Sequence, residues 1–436
     1  MTAYPVKDKV RMFQVKDITG DGVADLTTMY PAVEDRFGIL TGKGNGSFGP
    51  ERLHTKPVHY FRNDVADLNK DGFPELIISS YWDNGFRIYY GNAAGSFDAS
   101  VYMPTDIHGR EIRCTDINKD GHIDIIATTS GSGRTISLHV FINKGDGTFH
   151  PKRSYPSMLD TCTEIFFTDK NNDGLMDVVV SSSFPWLLFY YQQPDGSFVA
   201  KYRPTKTTAR VAFGDVNQDN RDDLLLLYSS VDNMPGSDSM LVLLNTGDTA
   251  FATPFKIPQF GSNKIRPTQV RMADINNDGL QDMVANQLDM NGDYDDTVFY
   301  MTGKPNAGFN EPVAVALPAN VLYTQLADID KDGYIDLVAS CDNNNIYTVF
   351  NNRGKDTAPA TELLVYPNPT NSRIFLKSLP AGRHNIALYS ANGILLRAVT
   401  ISGKWWSLPV EHLPAGMYYL HISGGGINTT RGFRKM

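Results

Sequence analysis

Asp17, Thr19, Asp21 and Asp25 stand at positions 1, 3, 5 and 9 of a nine-residue segment, DITGDGVAD. Oxygen-bearing side chains return at the same spacing six more times: Asp67, Asn69, Asp71 and Glu75; Asp116, Asn118, Asp120 and Asp124; Asp169, Asn171, Asp173 and Asp177; Asp215, Asn217, Asp219 and Asp223; Asp274, Asn276, Asp278 and Asp282; Asp328, Asp330, Asp332 and Asp336. Position 6 is Gly in six segments and Asn220 in the fifth. Hard oxygen donors at alternate positions around a sharp turn suit a calcium ion, which takes roughly six to eight oxygen ligands. An EF-hand would close such a loop with Glu at position 12, but that position holds Thr28, Ile78, Ala127, Val180, Leu226, Ala285 or Ala339. The closing carboxylate must therefore be position 9. Asp, Asn and Gly also build ordinary turns without metal. Seven copies at one spacing favour the ion, because carboxylates crowded into one loop repel until a cation neutralises them. Up to seven calcium ions are expected. Asp330 adds a fourth carboxylate to the seventh loop and should tighten it, whereas Thr19 makes the first a poorer site. Asn220 should keep the fifth turn with some strain, Asn being tolerant of positive φ.

The loops begin 50, 49, 53, 46, 59 and 54 residues apart, the size of one four-stranded propeller blade. Each lies between short apolar runs, such as EIFFTD before and DVVVSSS after the fourth. Val, Ile, Leu and Thr bounded by Gly, Asn and Ser read as strand, turn, strand, and no stretch supports a long amphipathic helix. A third apolar segment follows, then a turn ending in Phe48, Phe97, Phe149, Phe198, Phe251 or Phe309, then a more polar fourth segment. Seven loops accompany six such turns, so the seventh unit stops short of its fourth strand. Aligning Asp17 with Asp67 sets Thr2 to Val6 opposite a fourth strand. Those residues are expected to be the outer strand of the last blade, closing the ring and removing an exposed edge.

Other chemistries find little support. The formal charge is −8, from 48 acidic against 40 basic residues, which disfavours a nucleic-acid partner. No apolar run approaches the roughly 18 residues of a membrane helix. Cys114, Cys162 and Cys341 lack metal-ligand spacing and read as buried apolar residues. The start, MTAYPVKDKV, has neither the basic segment nor the apolar stretch of a secretory signal. GxSxG, HExxH and P-loop patterns are missing. A lone GxGxxG at Gly44 to Gly49 falls in a hairpin turn without the helix that a dinucleotide site requires. His108, in PTDIHGRE, reads as a surface loop residue.

The nine-residue loops and the Gly-Phe turns resemble FG-GAP repeats, also called VCBS-type, the units of the seven-bladed propeller of integrin alpha subunits and of many secreted bacterial proteins. The resemblance covers residues 1–357 and implies metal ligation by the positions named above, with recognition through the opposite propeller face. From about Glu362 the period ends. LLVYPNPTNSRIFLKS, HNIALYSANGILLRAV, LPAGMYYLHIS and TTRGFRKM show strand-length alternation with NG, PAG and GGG turns, which predicts a small antiparallel β-sandwich over residues 362–436. YPNP at Tyr366 to Pro369, LYSANG, LPAGMYYLHI and the short basic ending resemble the type IX secretion C-terminal sorting domain. That resemblance implies a secreted or surface-attached protein of a Gram-negative bacterium, a partnership with the type IX secretion machinery, and a signal peptide absent from this sequence.

The expected fold is thus all-β, a seven-bladed propeller followed by a sandwich. Loops joining second and third strands should lie opposite the metal loops. They carry Tyr81, Trp82, Asp83 and Trp186, aromatic and polar groups suited to sugar or peptide recognition, although such aromatics are often simply packed. Asp293, Asp295 and Asp296 form another acidic group, either a cation site or a solvated loop. The expected function is a monomeric, calcium-binding surface propeller that recognises an extracellular glycan or protein without catalysis. The alternative is a polysaccharide lyase or hydrolase sited on the face opposite the metal loops, and the third reading is a structural surface protein. The acidity itself belongs to the loop ligands: they account for 22 acids, leaving 26 others against the 40 basic residues of the whole chain. Seven bound calcium ions would bring −8 to about +6.

Overall fold

The computed structural model describes the chain except residues 31–35, 56–59, 81–83, 93–94, 98, 106–108, 131–135, 158–161, 183–185, 205–208, 229–239, 248–250, 258–265, 289–293, 306, 350–363, 367–369, 371–372, 378–382, 403–405 and 425–426. The described residues are all strand, turn and irregular backbone, with no helix among them. Seven four-stranded antiparallel sheets follow one another along the chain. Their inner strands are Phe13–Lys16, Tyr60–Ala66, Gly109–Thr115, Glu164–Thr168, Ala209–Gly214, Arg266–Ala273 and Val321–Ala327. Each leads through one of the nine-residue loops into a second strand that begins at the position-9 acid. The last sheet takes its outer strand from the other end of the chain. Thr2–Pro5 pairs antiparallel with Asn345–Val349, Ala3 opposite Tyr347, and Val6 N donates to Asn344 O at 3.0 Å.

A blade is covered on both faces by its neighbours, so its second strand need not alternate. Asp177–Ser181 and Asp25–Tyr30 are buried along their whole length. Seven apolar clusters knit consecutive blades. Val65 and Leu76 of the second blade meet Phe37 and Ile39 of the first, and the series continues until Ile329 and Val338 of the seventh meet Phe13 and Leu26 of the first. That last cluster closes the ring. Position 2 of five loops packs beside the Gly-Phe turn of the following blade: Ile18 with Phe97, Leu68 with Phe149, Ile117 with Phe198, Val216 with Phe309, Ile329 with Phe48. The sixth, Ile275, faces the seventh blade, which has no such turn. The fourth loop alone has no aliphatic residue at position 2. Lys170 is fully buried there, its Nζ 2.7 Å from Asn245 Oδ1 and 4.1 Å from the centre of the Phe251 ring. A cation over an aromatic face replaces the aliphatic contact. The GxGxxG stretch is a turn held by the Gly42–Phe48 bridge, with Gly44 and Gly46 at φ 74° and 73°.

The C-terminal strands form two further sheets. Leu364–Tyr366, Arg373–Lys377 and Trp406–Pro409 make one; Leu395–Ser402, Arg383–Ser390, Gly416–Gly424 and Ile427–Lys435 make the other. Ile374, Leu376 and Leu408 from the first meet Ile386, Leu420, Ile422 and Phe433 from the second in a common core, which makes the pair a sandwich.

Candidate metal loops and ligand face

All seven loops share one backbone. Position 6 is left-handed in each, including Asn220 at φ 62°. Position 4 is left-handed too, at Gly20, Lys70, Lys119, Asn172, Gln218, Asn277 and Lys331. Only Gly20 holds this conformation without steric cost, and it must be glycine for a second reason: a Cβ there would lie 2.1 Å from Gly72 O of the next loop. In three other loops position 4 uses its side chain on the equivalent carbonyl. Lys119 donates to Gly174 O, Gln218 to Gly279 O at 3.2 Å and Asn277 to Gly333 O at 2.9 Å, which ties the third loop to the fourth, the fifth to the sixth and the sixth to the seventh.

Left-handed residues at positions 4 and 6 turn the loop N–H groups inward, where carboxylates of the loop accept them. In the third loop Asp116 accepts from Asp120 N at 3.0 Å and Gly121 N at 2.7 Å, and Asp120 Oδ1 accepts from His122 N at 2.8 Å. The position-9 acid is buried beneath, 0 to 1% exposed in every loop. One of its oxygens takes the position-2 N–H and the other usually takes an N–H past the third strand. Asp25, for example, accepts from Ile18 N at 2.8 Å and from Gly42 N at 2.7 Å. Each position-9 acid therefore ties the loop to its own sheet before any ion is considered. In the second loop, where Glu75 replaces Asp, Oε2 takes Leu68 N at 2.7 Å but Oε1 is buried without a hydrogen-bond partner. Asp67 Oδ1 and Thr19 Oγ1 are likewise buried and unpartnered.

This crowding is visible in the ionisation of the closing acids. Burial, reinforced by the carboxylates at positions 1 and 5, pushes Glu75 and Asp177 up to about 7 and Asp124 and Asp223 up to about 6, against the backbone donors that pull them down. All the donor side chains are oxygen, the choice of a hard divalent cation, so the residues present fit such an ion. The loops differ in how their charge is met. In the second to sixth, the position-3 Asn side-chain amide donates to the position-5 Asp at 2.8 to 3.1 Å. In the fifth, Arg221 Nη2 adds a guanidinium at 2.8 Å from Asp219 Oδ2. In the seventh, Asp330 replaces the amide, and oxygens of Asp328, Asp330 and Asp332 lie within 4.8 Å of one another.

Of the sequence-predicted ligand residues, Tyr81, Trp82 and Asp83 fall outside the described residues, as do His108 and Asp293. Trp186 opens the third strand of the fourth blade, 40% exposed, at the end away from the metal loop. Asp295 and Asp296 are not loop residues: they lie in the strand Tyr294–Met301, where adjacent positions point to opposite faces. Asp295 Oδ2 accepts from Gln287 Nε2 at 3.4 Å and Asp296 Oδ1 from Thr297 Oγ1 at 3.0 Å.

Sequence reasoning missed a second polar region, along the inner strands. Lys16 pairs with Asp64 at 2.6 Å, Arg62 with Glu111, and Arg113 with Glu111 at 3.4 Å. Arg271 Nη1 lies 2.9 Å from Glu164 Oε1. Arg271 belongs to the sixth blade and Glu164 to the fourth, so this pair reaches across the central channel past the fifth. The available signal was polar or charged residues at alternate positions of otherwise apolar inner strands, Glu111 and Arg113 in EIRCTD and Gln269 and Arg271 in PTQVRMAD.

Two family models match the chain. The FG-GAP-like repeat matches residues 67–127, 116–180, 169–226 and 215–285, which together span half of the chain. The secretion system C-terminal sorting domain matches residues 364–434. Among solved structures, an Agrocybe aegerita lectin, described as specifically recognising non-reducing terminal N-acetylglucosamine, is 16% identical with a TM-score of 0.52, covering 71% of this chain and 81% of the lectin. PorZ, a bacterial surface component of the type-IX secretion system of Porphyromonas gingivalis, is 13% identical with a TM-score of 0.48, covering 99% of this chain and 60% of PorZ. Saccharomyces cerevisiae Sqt1 is 10% identical with a TM-score of 0.47, covering 80% and 99%. Curated proteins searched by sequence return no match.

Proposed function

The chain belongs to the FG-GAP-like repeat family and carries a secretion system C-terminal sorting domain, and from that premise we propose a calcium-stabilised propeller, delivered to the cell surface or beyond, that recognises an extracellular glycan or protein without chemistry. The observation that carries this reading is the asymmetry of the ring. Seven oxygen-donor loops occupy the end where inner strands pass into second strands, leaving the other end for a ligand. Calcium when bound would neutralise acids at positions 1, 5 and 9 and, in the seventh loop, at position 3; Thr19 and the five Asn side chains would supply neutral oxygens. Buried, unpartnered Thr19 Oγ1, Asp67 Oδ1 and Glu75 Oε1 support this. Extracellular calcium modules bind with dissociation constants of roughly 0.1 to 1 mM, which suits an exported protein.

Trp186, half exposed at the opposite end, is the described aromatic most suited to stacking on a sugar ring. Terminal N-acetylglucosamine is the first sugar to try, because a lectin of this fold takes it. The sorting domain gives the secretion machinery as the second partner, and the exported propeller is taken to act as a monomer. Glycan-array binding in calcium buffer, repeated with Trp186→Ala and followed by turnover assays on polysaccharides, tests the proposal. Binding that weakens in the variant, with no depolymerisation, is the expected result. Depolymerisation of any polysaccharide would replace it with an enzymatic function.

A further inference from the structure

The repeat allows one ring position to be compared with its equivalent in another blade. Five residues before the first Asp of the second loop stands Arg62, and the equivalent residue of the next blade is Glu111. These two form an ion pair. In the fifth blade the same position is Arg210, and its equivalent in the next blade is Gln269. A neutral amide thus replaces the carboxylate. Its oxygen is already committed, accepting from Thr324 N at 2.8 Å and Thr324 Oγ1 at 2.7 Å. Its Nε2, in a residue 7% exposed, has no hydrogen-bond partner. Arg210 makes no hydrogen bond or ion pair among the described residues. The nearby Glu164 carboxylate is engaged by Arg271 at 2.9 Å.

Charge points the same way. Among the described residues the channel cluster holds Lys16, Arg62, Arg113, Arg210 and Arg271 against Asp64, Glu111 and Glu164, five cations to three carboxylates, a formal excess of +2. Burial lowers the basicity of Arg210, and Glu164 only partly offsets that. A guanidinium, a buried amide N–H without an acceptor and a net positive channel form a donor set for an anion with planar or tetrahedral oxygens.

We propose that the central channel binds an oxyanion between Arg210 and Gln269, with Arg271 and Arg113 adding charge from the adjoining ring. The shared chemistry is a carboxylate, sulfate or phosphate group, held either as a free ion or as the acidic group of a saccharide. The site stands independently of the metal loops and of Trp186.

Calorimetric titration and thermal melts of the full chain, in calcium buffer at matched ionic strength, decide the matter with sodium sulfate and oligogalacturonate as probes against chloride. The wild type should bind at least one probe and melt higher with it. Arg210→Gln should lose affinity about tenfold or more, as expected for a charge-assisted hydrogen bond. Gln269→Glu recreates the Arg62–Glu111 pair, so it should fold, melt at or above the wild type without probe, and no longer respond to sulfate. Oligogalacturonate binding that sulfate displaces identifies a saccharide acid as the ligand; sulfate binding alone identifies a free ion. Absence of any response in the wild type, or equal binding in both variants, overturns the proposal.

Discussion

The fifth and seventh loops share one backbone and differ in what meets their charge. Both hold left-handed residues at positions 4 and 6, Gln218 and Asn220 in one, Lys331 and Gly333 in the other. Both direct position 1 onto the same two loop N–H groups: Asp215 accepts from Asp219 N at 3.1 Å and Asn220 N at 2.7 Å, Asp328 from Asp332 N at 3.1 Å and Gly333 N at 2.9 Å. In the fifth, Asp219 Oδ2 also takes Asn217 Nδ2 at 3.1 Å and Arg221 Nη2 at 2.8 Å, so an amide and a guanidinium meet its charge. In the seventh, Asp330 and Asp332 have no such side-chain donor among the described residues, and three carboxylates converge. Loop shape is therefore set by backbone conformation and the buried position-9 acid, while the demand for a cation is set by positions 3, 5 and 7. The two roles separate in the fifth loop.

The largest test removes the acid common to both. Asp223 accepts Val216 N at 3.1 Å and Asn245 N at 2.7 Å in the buried interior, and Asp336 accepts Ile329 N at 3.1 Å. Asp223→Ala and Asp336→Ala should each lower stability in urea by about 2 to 5 kcal/mol, by stranding buried backbone donors. If the roles separate, calcium leaves the Asp223→Ala loss nearly unchanged and enlarges the Asp336→Ala loss. Equal calcium dependence would erase the distinction.

Next in size is the pH response without metal. Folding raises Glu75 and Asp177 to about 7 and Asp124 and Asp223 to about 6, above their values in the unfolded chain. The folded state then binds more protons than the unfolded state across this range, so stability must fall as pH rises. In chelator, the melting temperature should decline from pH 5 to pH 7. Saturating calcium, which requires the ionised acids, should flatten or reverse that slope. A metal-free melt that rises with pH would contradict the crowding on which the calcium proposal rests.

What could be read in advance follows the same division. The ligands of each loop lie within nine residues, so spacing alone exposed them. The sandwich was legible from alternation and turn residues. Left-handed position 4 was not, because Gly, Lys, Asn and Gln occupy it and only the fold reveals that one conformation is imposed on all of them. Channel pairs were hidden by distance along the chain: Lys16 and Asp64 are 48 residues apart, and Arg271 reaches Glu164 two blades away. Lys170 broke the aliphatic pattern at position 2, a visible irregularity whose meaning depended on Phe251 of the next blade.

A smaller effect comes from exchanging charge between the two loops. Asp330→Asn gives the seventh loop the amide of the second to sixth and should weaken its calcium affinity about tenfold, one carboxylate fewer being the main change. Arg221→Gln removes the internal cation of the fifth. Side-chain exposures of 32% and 25% mark a partly solvated pair, so the gain in calcium affinity should be about fivefold at most. Calcium titration of each variant by calorimetry measures both, and an Arg221→Gln chain with unchanged stoichiometry and affinity would mean that the guanidinium does not compete with metal.

The smallest effect tests whether the backbone really is the common element. Gln218 and Lys331 hold φ 62° and 60° at position 4, a conformation that costs a non-glycine residue about 1 kcal/mol. Glycine removes that steric cost but enlarges the entropy of the unfolded chain. It also removes the Gln218 bond to Gly279 O at 3.2 Å. Lys331→Gly should therefore stabilise the protein by about 0.5 kcal/mol, and Gln218→Gly by less, because the lost inter-loop bond offsets part of the relief. Neither should alter calcium affinity by more than about twofold, since position 4 supplies no ligand. A large affinity change in either variant would show that backbone strain and ion binding are coupled, and loop shape could then no longer be treated as independent of the cation.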